Sequence, residues 1–141
     1  RVADHDLEVT CAGRTDAGVH ASYQIIHFES DKPRSERQWL LGINANLPDD
    51  LAVHWVSEMP EVFHARFSAT SRSYRYVIFN NPTRPAIYKD QLTWYKDPLD
   101  EKRMQEAANQ WLGTWDFKAF QAASCQSRSS VRKMDEIKVK Y

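Results

Sequence analysis

Short segments in which apolar and polar residues alternate, or in which β-branched and aromatic residues dominate, recur along this chain and restrict its fold most strongly. Such segments are typical of strands that bury one face. Only two segments have a helical pattern instead. Strands interleaved with two isolated helices predict an α+β fold with a mostly antiparallel sheet and the helices packed on one face. The predicted strands occupy residues 7–11, 20–30, 51–56, 64–69, 71–80, 91–96 and 135–141.

The two helices are predicted from their ends as well as from their apolar faces. Ser35 and Gln38 have the spacing of a capping box, and the apolar residues that follow predict a short helix that breaks before Pro48. Asp97 and the proline after it are typical of a helix start, and this second helix is predicted to end at Gly113.

A proline-containing break at residues 59–61 is the predicted seam between two halves, 1–61 and 62–141. The first half carries a glycine-rich polar loop, and the second carries a strand in which tyrosines and arginines alternate. Residues 115–120 and 125–133 are predicted to form a loop region ahead of the last strand.

Composition indicates a folded protein without an excess of either charge. The 141 residues are 42% hydrophobic and 27% charged, which argues against disorder. Nineteen basic and nineteen acidic residues give zero net charge, so only a segregated patch could indicate nucleic acid or an anionic membrane. With no apolar run of about 18 residues and no leader pattern, we expect a cytoplasmic protein. Cys11 and Cys125 have no disulfide or metal spacing and are expected to be free thiols.

The sequence AGRTDAGVHA, residues 12–21, places an arginine and a carboxylate between two glycines on the connection between two predicted strands. Three interpretations of Asp16 fit these residues. Its side chain could bond the backbone of a turn beside Gly18, which is the commoner role of a lone loop aspartate. A phosphate loop is the second, although neither common glycine pattern for phosphate is present. In the third, Asp16 is a catalytic carboxylate with Arg14 as its positive partner.

Basic and aromatic residues gather in the second half although the total charge is zero. Arginines interleaved with Tyr74 and Tyr76 are typical of RNA binding, where charge meets phosphates and aromatic faces stack on bases. A solvated sheet face with core tyrosines fits equally well. The five histidines have no metal-ligand spacing, so we expect structural or hydrogen-bonding roles and no metal site. The basic residues concerned are Arg66, Arg72, Arg75, Arg84, Arg128, Arg132 and Lys133.

Four longer motifs resemble the TruA family of tRNA pseudouridine synthases, in the order that the family has them. They are CAGRTDAGVHA (11–21), GINANLP (42–48), FHARFSATSRSYRYVIFN (63–80) and DFKAF (116–120). The first resembles the family's active-site motif, and the resemblance covers essentially the whole chain. It implies an isomerase that converts uridine to pseudouridine in the anticodon arm of tRNA, without metal or organic cofactor. The implied fold has two similar, RRM-like halves that meet along a sheet, with a catalytic cleft across the seam.

The resemblance also implies roles for single residues. Asp16 would be the catalytic carboxylate, which attacks the ribose or the base, or abstracts a sugar proton, while the N1–C1′ bond breaks. Arg14 would pair with it or help to hold the flipped nucleotide. Tyr74 would stack on the target uracil, and we assign Arg66 and Arg72 to substrate binding. The implied partners are tRNA and a second copy of the chain in a homodimer.

Family members are longer than this chain on both sides. Neither the family's opening strand, with its YDG and GWQ-like motifs, nor its later segment resembling NAFLHHMVRNIVG is present. We therefore expect a fragment that is inactive alone. Two alternatives from other classes stay open. One is a non-catalytic RNA-binding module on the same scaffold, and the other is an aspartate-dependent glycoside hydrolase, for which the sequence offers no second carboxylate near Asp16.

Overall fold

The computed structural model of the chain describes residues 2–121 and 129–141. Within these ranges the chain forms two α-helices, one 3-10 helix (Lys118–Phe120) and six short strands, so the predicted α+β class is confirmed. It divides into two compact units, Arg1–Tyr76 and Val77–Tyr141. The division into halves 1–61 and 62–141, with a seam at residues 59–61, stays a prediction. Cys125 and Arg128, singled out above, lie outside the described ranges.

The first unit contains an antiparallel pair of strands on either side of the glycine-rich loop. Strand β1 (Thr10–Cys11) pairs with strand β2 (Ile26–His27). One further main-chain bond, from the Ala12 N–H to the Ile25 carbonyl at 2.8 Å, continues the pairing towards the loop. The predicted order of strand, polar loop and strand is confirmed, although both strands are shorter than predicted. The pairing fixes both ends of the loop.

Helix α1 (Glu36–Asn44) begins with the predicted capping box. The Gln38 N–H donates to Ser35 Oγ at 3.3 Å, and the Ser35 N–H donates to Gln38 Oε1 at 2.8 Å. Each bond satisfies an amide that a helix start leaves without a partner, and such a cap contributes about 1 kcal/mol. Trp39 is 8% exposed and packs edge-on against Phe28 at a ring-centroid distance of 5.2 Å. This contact joins the helix to the segment that follows β2.

The strand predicted at 51–56 is not formed, because a side chain occupies the main-chain groups that a neighbouring strand would pair. The Asn44 amide accepts from the Val53 N–H and donates to the Val53 carbonyl, each at 2.8 Å. This segment therefore runs beside the end of α1 without joining a sheet. Apolar alternation alone could not show that the helix's last residue would take this role.

Residues 64–69, also predicted to be a strand, form a turn. His64 Nδ1 accepts from the main-chain N–H groups of Arg66 at 3.2 Å and Phe67 at 3.3 Å. A side chain that binds the backbone this close in sequence favours a turn over an extended strand. The prediction was wrong because it counted His64 as a strand residue.

The second unit begins with a parallel pair of strands. Strand β3 (Ile78–Asn80) pairs with strand β4 (Thr93–Tyr95). The strand predicted at 91–96 is confirmed, whereas the one predicted at 71–80 forms only over its last residues.

The connection that leaves β4 is held by a single amide side chain. Asn80 donates to the carbonyls of Tyr95 at 2.9 Å and Asp97 at 2.7 Å, and accepts from the Leu99 N–H at 3.2 Å. The bonds to Asp97 and Leu99 satisfy backbone groups just beyond the strand pairing.

Helix α2 (Glu101–Asn109) begins later and ends earlier than predicted. Its cap is Asp100, whose side chain accepts from the Arg103 N–H at 3.0 Å. The prediction of a start at Asp97 was wrong, because Asn80 holds the Asp97 carbonyl within the connection from β4. Asp97 and Asp100 are both plausible caps by residue type, and a tertiary contact decides between them.

The end of the second unit forms an antiparallel pair that was not predicted. Strand β5 (Gly113–Asp116) pairs with strand β6 (Val131–Met134). Gly113, predicted to end α2, has a φ of 98° and begins β5. The loop predicted over these two segments is therefore wrong there, and so is the strand predicted at 135–141. A strand forms where a partner pairs with it, and the period of the sequence does not show which residues the partner reaches.

The described residues form three two-stranded sheets, two antiparallel and one parallel. Burial is sparse, since Ala3, Trp39 and Ala65 are the buried apolar residues of these ranges. No helix in the described part of the chain is long and apolar enough to cross a membrane. Hydrogen bonds from side chains to the main chain therefore account for much of the local order.

Candidate active site

The loop between β1 and β2 contains a tight turn that begins at Asp16. The Val19 N–H donates to the Asp16 carbonyl at 3.1 Å, and Gly18 has a φ of 83°. A positive φ at the third residue is the pattern of a type II turn, which favours glycine there. Main-chain atoms close this turn, so the Asp16 carboxylate is not what closes it. Both that carboxylate and the Arg14 side chain on the same loop are exposed.

Gly13, at the base of the loop, is held on both of its main-chain polar groups by Gln24. Gln24 Nε2 donates to the Gly13 carbonyl at 2.6 Å, and Gln24 Oε1 accepts from the Gly13 N–H at 3.3 Å. Gln24 lies just before β2, so the two ends of the loop are linked through its side chain.

Arg72 holds the same end of the loop from a distant segment. Its Nη2 and Nε donate to the Ala12 carbonyl at 2.6 and 3.2 Å, and Nη2 also donates to the Arg66 carbonyl at 3.0 Å. The planar guanidinium thus bridges the start of the loop and the 64–69 turn. A Cβ at Gly13 would lie 3.3 Å from Arg72 Nε, so glycine permits this close approach.

Two histidines fix the 64–69 turn to β2. His27 Nδ1 accepts from the main-chain N–H of Ala65, a buried residue, at 3.2 Å. The His27 and His64 rings lie 4.8 Å apart, and His64 stacks on Phe67 at 4.2 Å. The hydrogen-bonding role predicted for the histidines is confirmed for these two. The strand after the loop and the turn that contacts the start of the loop are therefore connected.

The predicted site residues Asp16, Arg14, Arg66, Arg72 and Tyr74 all lie in the first unit. Hydrogen bonds bring Arg72 and the Arg66 main chain to the base of the loop. Tyr74 is 81% exposed, and among the residues described it has no hydrogen bond or ring contact with the loop. The loop and the two arginines therefore form a connected site, and Tyr74 stands beside them in sequence.

The described members of the predicted basic patch divide between the two units. Arg66, Arg72 and Arg75 belong to the first, while the second holds Arg84, Arg132 and Lys133. A hydrogen bond and ion pair with Asp135, at 2.7 Å, raise the pKa of the Lys133 amine. Within the described ranges, no three His, Cys, Asp or Glu side chains are grouped as metal ligands would be.

Sequence reasoning missed Gln24, which holds the loop, and did not show which backbone group His27 would bind. Gln24 is exposed, so no requirement for a buried partner singled it out in the sequence. Neither residue type nor spacing could show that the partner is Gly13.

Comparison with known proteins gives one family. A family model described as tRNA pseudouridine synthase matches residues 1–68, which include the loop and Gln24. A tRNA pseudouridine synthase A from Coxiella burnetii is 51% identical over 138 residues, which are 98% of this chain and 53% of that relative. Proteins of the same name from Shigella boydii and Cronobacter sakazakii are each 52% identical over 139 residues, 99% of this chain and 52% of the relative.

The chain spans about half the length of the curated relatives it matches. The match covers 98% of this chain and therefore extends over both compact units. On this likeness, together with the matched family model, the chain belongs to the tRNA pseudouridine synthase family.

Proposed function

We propose that the whole protein, meaning the polypeptide that contains this chain, converts uridine to pseudouridine in tRNA, with Asp16 as the catalytic carboxylate. The substrate uridines would be those of the anticodon stem-loop, at positions 38 to 40. One observation carries the proposal: an exposed carboxylate lies on a turn whose base is held by Gln24 and Arg72. A carboxylate that is exposed, on a loop whose base is held in place, can act on a large substrate such as an RNA. The relatives are named as tRNA pseudouridine synthases, which supports the same reaction.

The reaction exchanges one glycosidic bond for another and needs no second reactant. The N1–C1′ bond breaks, the uracil turns, and a C1′–C5 bond forms, while C5 loses a proton and N1 gains one. A carboxylate oxygen can attack the ribose or the base, or can remove a sugar proton. Asp16 would supply that oxygen in each route, because its carboxylate is exposed.

Two exposed side chains of the first unit would hold the target nucleotide. Arg14, on the same loop as Asp16, would pair with the carboxylate or hold the flipped nucleotide. Tyr74 would stack on the target uracil, because an open ring face can replace the stacking that a base loses when it leaves the helix.

Arg66 and Arg72 would bind phosphates of the tRNA. Neutral main-chain carbonyls accept the hydrogen bonds of Arg72, so its positive charge is not cancelled by an acidic partner there. The Arg66 guanidinium carbon lies 6.0 Å from the centroid of the Phe67 ring, which adds an aromatic face beside that charge. Because phosphate contacts release counterions, we expect tRNA affinity to fall as salt rises, and Arg66→Ala to reduce the salt slope by about one.

Several larger features of the whole protein belong to the same proposal. It would be a cytoplasmic homodimer with two RRM-like halves, divided between residues 61 and 62 and built on a mostly antiparallel sheet. This chain would be inactive without the rest of the protein, as its coverage of about half of each relative suggests. Equal rates of pseudouridine formation by the chain and by the whole protein would contradict that expectation.

The test compares the whole protein with its Asp16→Asn variant on unmodified tRNA, measuring pseudouridine formation and tRNA binding in parallel. The matched control is Asp50→Asn, which neutralises another exposed aspartate of the first unit. We expect Asp16→Asn to lose turnover and keep tRNA binding, and Asp50→Asn to keep both.

The other outcomes are equally informative. Unchanged turnover in Asp16→Asn would leave Asp16 as a residue of the turn and contradict the proposal. A wild-type protein that binds tRNA without modifying it would be a non-catalytic RNA-binding module. The exposed aromatic and basic side chains around Arg66 and Phe67 favour that module as the second candidate.

A further inference from the structure

We propose that Gln24 is a positioning residue, which holds the loop where the Asp16 carboxylate can meet the substrate. The inference rests on the proposed function of Asp16 and adds a residue that acts through Gly13.

Gln24 continues the pairing of β1 and β2 with its side chain at the point where the main chains separate. The main-chain partners are Thr10 with His27, Cys11 with Ile26, and Ala12 with Ile25. In the same register, the next partners are Gly13 and Gln24. There the Gln24 amide makes both bonds to Gly13, one as donor and one as acceptor.

Glutamine is suited to this task because its amide offers a donor and an acceptor side by side, as the backbone of a neighbouring strand does. A glutamate of the same length lacks the N–H that donates to the Gly13 carbonyl at 2.6 Å. A methionine of similar size lacks both groups. Gln24→Glu therefore removes the shorter bond and Gln24→Met removes both, while each preserves the approximate volume of the side chain.

The grip fixes the carboxylate because the chain between Gly13 and Asp16 is short. Gln24 holds Gly13, and Arg72 holds the neighbouring Ala12 carbonyl. A shift of Gly13 would move the start of the turn and the carboxylate with it. A misplacement of about 1 Å can cost about a hundredfold in rate. Binding of tRNA is spread over many phosphate contacts and should depend less on this one position.

The experiment measures kcat, KM and tRNA-binding capacity for the whole protein and for its Gln24→Met and Gln24→Glu variants. Gln91→Met, at an exposed position in the second unit, is the matched control. Asp16→Asn is measured beside them. We expect both Gln24 variants to lose about tenfold to a hundredfold in kcat, while KM and binding capacity stay within about twofold of the wild type. The control should match the wild type.

Each other outcome overturns the inference in a recognisable way. Wild-type kcat in both Gln24 variants, with Asp16→Asn inactive, removes the role of Gln24 and leaves the proposed function standing. A fall in binding capacity and melting temperature in proportion to activity shows that Gln24 serves the fold alone. Activity retained in Asp16→Asn removes the proposed function and the inference with it.

Discussion

In each unit an amide side chain forms hydrogen bonds to the main chain, Gln24 in the first and Asn80 in the second, but the two amides hold different parts of the molecule. Gln24 holds Gly13, at the base of a loop that carries an exposed carboxylate. Asn80 holds the connection from β4 to α2. Both act just beyond the end of a strand pair, so the bonds alone do not separate a functional site from a structural joint. The two grips differ in the segment that each one positions, which is the Asp16 turn for Gln24 and the start of a helix for Asn80.

We expect loss of the Gln24 contacts and loss of the Asn80 contacts to have different effects. Loss of a contact at the loop should lower turnover in a protein that still folds and binds. Loss of a contact at the joint should lower stability in a protein whose folded molecules keep their turnover.

The largest effect is expected at Arg72, which holds the loop opposite Gln24. Arg72→Lys keeps the positive charge but cannot span the Ala12 and Arg66 carbonyls with one planar fork. We expect kcat to fall about tenfold to a hundredfold, because the start of the loop is released. Since the charge is kept, the salt slope of tRNA binding should stay unchanged.

Single-turnover assays and a salt series of binding constants would check this prediction. Arg37→Lys, which changes an exposed arginine of α1, is the control and should have no effect. A wild-type kcat in Arg72→Lys would assign Arg72 to phosphate binding alone and show that its contacts with the loop do not control turnover.

A smaller effect is expected at Asn80, where Asn80→Ala removes three hydrogen bonds to the main chain. The free energy of unfolding should fall by about 1 kcal/mol, because the exposed Asp97 carbonyl and Leu99 N–H lose their protein partner. Denaturation of the whole protein by urea would measure this loss. A kcat assay below the transition should match the wild type, and a fall in kcat without a fall in stability would show that the joint also serves the site.

Gly18 tests how much the turn itself must be fixed. A Cβ at this position meets no atom within 4 Å, so the cost of Gly18→Ala comes from its φ of 83°. We expect the turn to lose about 1 kcal/mol and kcat to fall by no more than about tenfold. Gly18→Asn should lose less, because asparagine tolerates this conformation better. The reverse order of the two variants in kcat would contradict the backbone explanation.

The smallest effect concerns Asp116, an exposed carboxylate of the second unit that accepts a hydrogen bond from the nearby Lys118 N–H. Hydrogen bonds from the Ser130 side chain and from the Lys118 N–H, the latter at 3.0 Å, hold the pKa of Asp116 below its ordinary value of 3.8. A carboxylate with a lowered pKa stabilises the folded state above the unfolded pKa. That contribution is lost as pH falls through the lower, folded pKa.

The melting temperature of Asp116→Asn should therefore lie slightly below that of the wild type at neutral pH. The difference should disappear as pH falls through the lowered, folded pKa of Asp116, because the wild-type carboxyl then also becomes neutral. A difference that persists unchanged in acid would show that the charge of Asp116 is not its source.

The sequence predicts best what neighbours in the chain decide. The capping box at Ser35 needs only Gln38, three residues away, and its helix forms as predicted. The strands on either side of the Asp16 loop also form, because they follow each other in the chain and pair directly. Local patterns thus placed the loop between the right elements.

The sequence predicts poorly what distant partners decide. β5 and β6 lie in a region predicted to be loop, and each forms because the other pairs with it. The start of α2 moves to Asp100 because Asn80, far back in the chain, holds the Asp97 carbonyl. The grip of Gln24 on Gly13 is of the same kind, since a glutamine has many potential partners and the register of two strands selects one.

The hydrogen bonds that His27 and His64 accept also determine which ring nitrogen carries the proton. Nδ1 of His27 accepts from the Ala65 N–H, and Nδ1 of His64 accepts from the N–H groups of Arg66 and Phe67. A neutral imidazole carries one proton, so in both rings it sits on Nε2. The two neutral side chains therefore share one tautomer, which nitrogen chemical shifts would report.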